Sequence, residues 1–430
     1  MGSSIKNIDI AYPNLKQGGV YCLAPLIFYN IANNTKNWNC NLVYLDEGNL
    51  RSRLIGFTLQ YELDYYNVFD MLNKNRIPLS RSRKQIVFAG GPVINNNPHT
   101  MEDFFDFLVL GEGEEIFPKI LKIYESSKSK DDFLRKISAE RGVYVPGINE
   151  PSYSYSDNLD DLPYPLEQPL PKDAHNTRKY VFGESFILEI ERGCPFMCKF
   201  CPMPSFYQKV KHRSLEKIKE IVDAGIRINK RTKVVIYSAS FVHPERKRIL
   251  KYLLSKNLSF SVPSLKAELV DQELMSLIAR GGQKTITLAP ECNERLRKKI
   301  AKMTGDRAFL DAVKYANNSG IRHLKLYFMI GLPGQARKDL EETVKLIKKL
   351  KTEFAGRTYV SVNPFVPKPN TAFAGHKFDK SEIKQQAKFL KTELSKLNIR
   401  HKIASIATAE KIWKIAHAKT FEFTGGTGRK

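Results

Sequence analysis

Three of the six cysteines fall within one short run, Glu191-Arg192-Gly193-Cys194-Pro195-Phe196-Met197-Cys198-Lys199-Phe200-Cys201-Pro202. Cys194, Cys198 and Cys201 are spaced C-x3-C-x2-C. Three thiolates on one loop can hold three corners of a cubane iron–sulfur cluster, which usually takes four cysteine ligands. A local count of three leaves one iron open to a small molecule. The same spacing also suits a structural zinc knuckle closed by a distant fourth ligand, His212 or Cys292.

With the aromatic Phe200 just before the last cysteine, the loop resembles the signature of the radical S-adenosylmethionine (SAM) superfamily. The resemblance implies a [4Fe-4S] cluster on Cys194, Cys198 and Cys201, with Phe200 beside it and SAM chelating the open iron through its amino and carboxylate groups. It also implies reductive cleavage of SAM to methionine and a 5′-deoxyadenosyl radical, with electrons from a ferredoxin- or flavodoxin-type partner. Other segments extend the resemblance. Tyr237-Ser238-Ala239-Ser240-Phe241 stands where the superfamily meets SAM's amino group, although it departs from the common Gly-Gly-Glu form. Ser238 and Ser240 are the implied contacts.

Leu288-Ala289-Pro290-Glu291-Cys292-Asn293-Glu294-Arg295-Leu296-Arg297 resembles an E-x-G-x-E-R-x-R segment, with Cys292-Asn293 replacing small residues. Glu291 is the implied acceptor of the ribose hydroxyls, since a carboxylate takes two hydrogen bonds. Arg295 is the implied bidentate partner of SAM's carboxylate. As plain chemistry, the two also read as a structural ion pair near a helix start. Phe328-Met329-Ile330-Gly331-Leu332-Pro333-Gly334 and Val362-Asn363-Pro364-Phe365-Val366-Pro367 resemble adenine-flanking segments, Gly331 admitting the ring and Val366 packing on it. As local sequence they are Pro/Gly turns. Cys292, Cys22 and Cys40 are expected as small buried hydrophobes.

The elements that would position these residues alternate strand and helix. From 185, six strands are expected: 185–190, 233–237, 259–262, 285–289, 323–329 and 359–362. Ser214 and Asp271 are expected as N-caps, and Gly281 as a helix stop. Six β/α units make a partial TIM-type barrel, and barrel sites lie at the carboxyl ends of strands. The cysteine loop follows the first strand. Residues 376–430 are expected as a small C-terminal α+β segment, with a helix over 380–397, a strand over 402–406, a second helix through 418 and a mobile tail over 424–430.

Residues 1–126 show five nearly all-apolar strands, 8–12, 41–45, 54–59, 85–89 and 107–110, alternating with helices. That pattern argues a parallel sheet covered on both faces, here a Rossmann-like (flavodoxin-like) α/β domain. Glycines mark the strand ends, where ligands of such sheets bind; tight turns are the alternative reading. The order Thr58, then Gly90-Gly91-Pro92, then Gly111-Glu112-Gly113 resembles the cobalamin-binding-like domain fused to many radical SAM enzymes. The resemblance implies cobalamin contacts from these seven residues, without a histidine ligand: the motif D-x-H-x-x-G is absent. Residues 127–180 are expected as a linker and 181–375 as the barrel.

Net charge is +24, from 69 basic and 45 acidic residues. Most basic residues sit at helical spacing among apolar ones, which reads as solvated outer faces; an RNA substrate is the other reading. No apolar run reaches the ~20 residues of a membrane span. The N-terminus lacks a signal-peptide layout, and six cysteines in 430 residues do not form a disulfide framework. A reducing cytoplasm is expected.

The leading expectation is therefore a radical SAM enzyme that transfers a methyl group to an unactivated carbon with cobalamin. A cobalamin-free RNA-modifying enzyme, by methylthiolation or rearrangement, is the first alternative. A non-catalytic metal or nucleic-acid-binding module is the second, and it would not need the Gly331 and Val366 segments.

Overall fold

A computed structural model describes residues 5–207 and 209–419. The expected tail over 424–430 lies outside them. The chain divides into two compact units. The first takes the chain up to Ile187 with Asp223–Lys230 and the end from Ile415; the second takes Leu188–Val222 and Arg231–Lys414.

In the first unit the elements run β1 (Lys6–Tyr12), α1 (Lys16–Gly19), α2 (Leu23–Asn33), β2 (Trp38–Tyr44), β3 (Leu54–Thr58), α3 (Asp64–Lys74), β4 (Ile86–Gly90), α4 (Pro92–Asn96), β5 (Phe107–Val109), α5 (Ile116–Ser126), α6 (Lys130–Ile137) and β6 (Val143–Tyr144). The sheet order is β2-β1-β3-β4-β5-β6. The first five strands pair in parallel, and β6 runs antiparallel on β5. Every residue of β3 is buried, and separate apolar clusters pack on the sheet's two faces. This is why the strands read as apolar runs rather than alternating ones. Strand order reverses at β1, so the carboxyl ends of β1 and β3 flank a switch point where such sheets bind ligands.

The expected linker contributes to this sheet. Besides β6, Lys130 on α6 pairs with Asp106 at 2.7 Å, and Arg83 reaches the same carboxylate at 3.2 Å. Ser154 bridges Gly111 in parallel, accepting from Glu112 N at 2.8 Å and donating to Leu110 O at 3.1 Å. The Tyr/Ser/Asp composition reads as loop, yet its backbone completes the end of the sheet.

The second unit holds β7 (Ser185–Glu189), which begins in the first, then β8 (Glu191–Arg192), α7 (Met203–Phe206), β9 (Lys211–His212), α8 (Leu215–Asn229), β10 (Lys233–Tyr237), α9 (Arg246–Ser255), β11 (Ser259–Ser261), α10 (Gln272–Arg280), β12 (Thr285–Glu291), α11 (Glu294–Lys299), α12 (Asp306–Asn318), β13 (His323–Ile330), α13 (Arg337–Glu353), β14 (Arg357–Pro364), α14 (Lys380–Lys396), β15 (Arg400–Ile403) and α15 (Ile406–Ala416). Ser214 and Asp271 cap their helices, accepting from Lys217 N at 3.1 Å and Leu274 N at 2.8 Å.

Strands β7, β10 and β11 form one group and β12–β15 another. A parallel bridge between Leu265 and Leu288 joins them. The result is an open α/β arc of seven strands. The seventh, β15, corrects the expectation of a separate C-terminal segment: it pairs in parallel with β14 and continues the β/α alternation. It overlaps the strand expected over 402–406 and begins two residues earlier, at Arg400.

Along β13, Leu324, Leu326, Phe328 and Ile330 are buried, while His323, Lys325, Tyr327 and Met329 are half-exposed. β14 repeats the alternation with Val360 and Val362. One face of these strands is buried, and the other is half-exposed and largely polar.

Candidate active site

The cysteine loop leaves β7 through Glu191-Arg192, which pair with His212 and Lys211. Gly193 adopts φ +90°, and a Cβ there would lie 3.0 Å from Lys209 O, so only glycine turns the chain into the loop. Cys201 N donates to Cys198 O at 3.0 Å, and Lys199 N donates to Ile300 O at 3.0 Å. The second contact ties the loop to the end of α11.

All three thiols are free, and all line one cavity of about 190 Å³. Burial pushes the Cys198 and Cys201 thiols up, while the Lys266 and Lys302 ammonium groups pull Cys198 back toward the thiolate. Among the described residues, no three His, Cys, Asp or Glu side chains converge as one metal ion would need. Zinc holds its sulfurs about 2.3 Å from a common centre, whereas thiolates on separate irons of a cubane stand farther apart. A zinc knuckle on these thiols would need a fourth protein ligand.

The proposed fourth zinc ligands lie elsewhere. Cys292 is fully buried in an apolar cluster with Leu296, Ile300, Leu332 and Phe365. Burial raises its thiol to about 12. His212 pairs with Glu191 at 3.3 Å and meets the His243 ring edge-to-face at 4.9 Å. Neither lines the cavity.

The implied SAM contacts separate. Ser240 lines the cavity, and its hydroxyl is buried without a partner. An orphan polar atom of this kind costs free energy unless a ligand satisfies it. Glu291 lines the cavity from the end of β12 on a left-handed backbone, φ +64°. Such strain in a non-glycine residue clusters at functional sites. Lys302 pairs with its carboxylate at 2.9 Å. Phe200 lines the cavity too and packs against the Cys292 cluster.

Four of the implied contacts are placed outside the lining of this cavity. Ser238 donates to Glu191 and accepts from Phe241 N at 2.7 Å, so it braces its own loop rather than facing the cavity. Glu191 also accepts from Val242 N at 2.9 Å; burial works to raise its carboxyl, but these bonds and His212 hold it below the usual range. Arg295 is clamped by Asp339, with Nε at 2.8 Å, and Asn293 donates to the same carboxylate at 3.0 Å. Gly331 donates to Gln386 at 2.7 Å, and a Cβ there would lie 2.7 Å from Ile383, so the glycine makes room for α14. Val366 is half-buried and, like Arg295 and Gly331, absent from the cavity wall. The cations that do line it are Lys266 and Lys302. Sequence reasoning missed both, because neither belongs to a spaced motif.

In the first unit the implied cobalamin contacts also divide. Thr58 is 5 % exposed and its hydroxyl has no partner; it pairs with Gly90 across the ends of β3 and β4. The orphan Thr58 hydroxyl fits a ligand at the strand ends, whereas a Cβ on Gly90 would lie 3.2 Å from Val109 O. The others serve the chain itself. A Cβ on Gly91 would meet Leu59 O at 2.3 Å, on Gly111 Ser154 O at 2.1 Å, and on Gly113 the Phe28 ring at 2.9 Å. Pro92 opens α4, and Glu112 accepts from Ser156 N at 2.8 Å.

Comparison with known proteins agrees with this arrangement. Residues 188–347 match the family model described as Radical SAM superfamily, and residues 49–146 the one described as Radical SAM proteins, N-terminal. The uncharacterized protein MJ0966 of Methanocaldococcus jannaschii is 31% identical over 405 residues, covering 92% of this chain and 85% of the relative. Among solved structures, the radical SAM methyltransferase TsrM of Kitasatospora setae, with cobalamin and a [4Fe-4S] cluster bound, superposes with a TM-score of 0.62 at 14% identity, covering 86% of this chain and 77% of that one. The cobalamin-dependent radical enzyme OxsB, with aqua-cobalamin and SAM bound, gives 0.60 at 12%, covering 90% and 56%. At such identities the likeness is one of fold. A near-full-length relative at this identity, and a barrel-like arc that brings three free thiols to one cavity, lead to one conclusion: this chain belongs to the radical SAM superfamily and is one of its enzymes.

Proposed function

We propose that Cys194, Cys198 and Cys201 hold a [4Fe-4S] cluster whose open iron takes SAM, and that the enzyme performs cobalamin-dependent methyl transfer to an unactivated carbon. The observation that carries the SAM site is the cavity shared by three free thiols and the unpartnered Ser240 hydroxyl. When bound and reduced, the cluster supplies the electron that cleaves SAM. The chain's own residues do the rest. Ser240 accepts from SAM's amino group. Lys266, which has no acidic partner among the described residues and lies over the Phe196 ring at 4.0 Å, takes the carboxylate role expected of Arg295. Glu291, held by Lys302, faces the ribose hydroxyls. Phe196, Phe200, Met203 and Phe309 exclude water around them.

Cobalamin would be held at Thr58 and Gly90, supported by the fold shared with TsrM and OxsB. A second reading, in which the first unit keeps the sheet without the cofactor, draws on the filled space over Gly91, Gly111 and Gly113. Anaerobic reconstitution separates the two. About four irons per chain and 5′-deoxyadenosine from SAM with dithionite support the cluster reading; iron loading without SAM cleavage overturns it. Retention of hydroxocobalamin through gel filtration, lost in Thr58→Val, supports methyl transfer. Passage of the corrinoid straight through supports the second reading.

A further inference from the structure

The half-exposed face of β13–β15 carries a cationic platform beside the cavity. Residues that pair across parallel strands share a face, and the register makes two tiers. Lys325 on β13 pairs with Tyr359 on β14, which pairs with Arg400 on β15. One step nearer the carboxyl ends, Tyr327 pairs with Ser361, and Ser361 with Lys402. All six lie opposite the buried residues of β13 and β14. Closed barrels fill such layers with packed apolar side chains; here Lys325, Tyr327, Tyr359 and Ser361 are half-buried, and Arg400 and Lys402 exposed.

Charge and shape then define an occupant. Lys325, Arg400 and Lys402 have no acidic partner among the described residues. The Lys325 ammonium lies 4.9 Å from the Tyr327 ring centroid and 5.9 Å from that of Tyr359. Three unneutralised cations on one sheet face raise the local concentration of anions, and the tyrosines offer a planar wall. With strands about 4.8 Å apart and about 3.3 Å per residue, the six Cα positions span about 10 Å by about 7 Å. That holds one ring with an anionic substituent, not a macromolecule. The face continues into the site: Ala289 and Glu291 of β12 line the SAM cavity, and Met329, one step above Tyr327, packs in the same cluster as Phe200.

We propose that this platform is the substrate subsite and that the substrate is a small aromatic molecule bearing a carboxylate or phosphate. This rests on the function proposed above. The test is equilibrium dialysis of the anaerobically reconstituted, SAM-loaded enzyme against uridine 5′-monophosphate and 4-hydroxybenzoate, each beside its neutral counterpart, uridine or 4-hydroxybenzyl alcohol. At least one anion is expected to bind tenfold or more tightly than its counterpart; the first would identify phosphate, the second carboxylate. K325A/K402A should weaken that anion at least tenfold and leave the neutral molecule unchanged, and K325R/K402R should restore it. R400Q, exposed on an edge strand, gives a second reading should the double variant load less iron. Equal binding of anion and neutral molecule, or variants that bind like the parent, overturns the proposal. Iron content and 5′-deoxyadenosine formation by the parent read the cluster function separately, so an enzyme that cleaves SAM yet ignores both anions loses only the substrate class.

Discussion

Ser238 and Ser240 stand two positions apart, and their hydroxyls do opposite things. Ser238 is consumed by Glu191 and the Phe241 amide; Ser240 is buried and unpaired in the cavity. Ser240→Ala should raise the KM for SAM about tenfold, the order expected for a hydrogen bond to a charged group, measured by 5′-deoxyadenosine release. The cysteines divide as sharply. Cys198→Ala should abolish cluster loading, whereas Cys292→Ala, behind the cavity lining rather than in it, should keep the parent's iron content and cost about 1 kcal/mol of stability. Asp64 gives a pH signature. Burial raises its carboxyl to about 6 against hydrogen bonds from Gln60, Tyr61 and Asn14. Between about 4 and 6 the folded state holds the proton and the unfolded chain does not, so stability falls as pH rises through that window. The slope in denaturant melts should shrink in Asp64→Asn.

At the scale of elements, buried polar contacts fix what composition leaves open. Asp106 accepts from Arg83 and pairs with Lys130, and Lys130 also donates to the carbonyls of Arg81, Arg83 and Gln85. Helix α6 is thereby nailed to the start of β4. Asp106→Ala leaves buried charge unpaired and should destabilise the first unit by about 3–5 kcal/mol, with hydrogen exchange rising first in β4, β5 and α6. The segment over Gly111 works similarly through backbone pairing. Its polar composition advertised a linker, because hydrogen bonds between main chains leave no trace in side-chain type. Conversely, β7, β10 and β12–β14 were legible, since apolar strands and amphipathic helices repeat with periods that sequence displays directly.

Across the whole molecule, the +24 charge is less free than it looks. Many helix cations pair within their own helices, among them Lys136 with Asp132, Lys298 with Glu294 and Arg337 with Glu341. Binding of polyuridylate should therefore be weak and collapse between about 50 and 200 mM salt, measured by filter retention. No helix among the described residues is long and apolar enough to cross a membrane. By itself the sequence pointed to the family, to the cysteine triplet that resembles its signature and to most of the alternating elements, because these reside in spacing and periodicity. Only the tertiary structure decided that Lys266 and Lys302 line the cavity while Arg295 pairs with Asp339, that Gly331 packs against helix α14, and that a seventh strand extends the arc. Each of those outcomes depends on which distant side chain or backbone atom arrives first in a limited space, and one-dimensional order does not encode that competition.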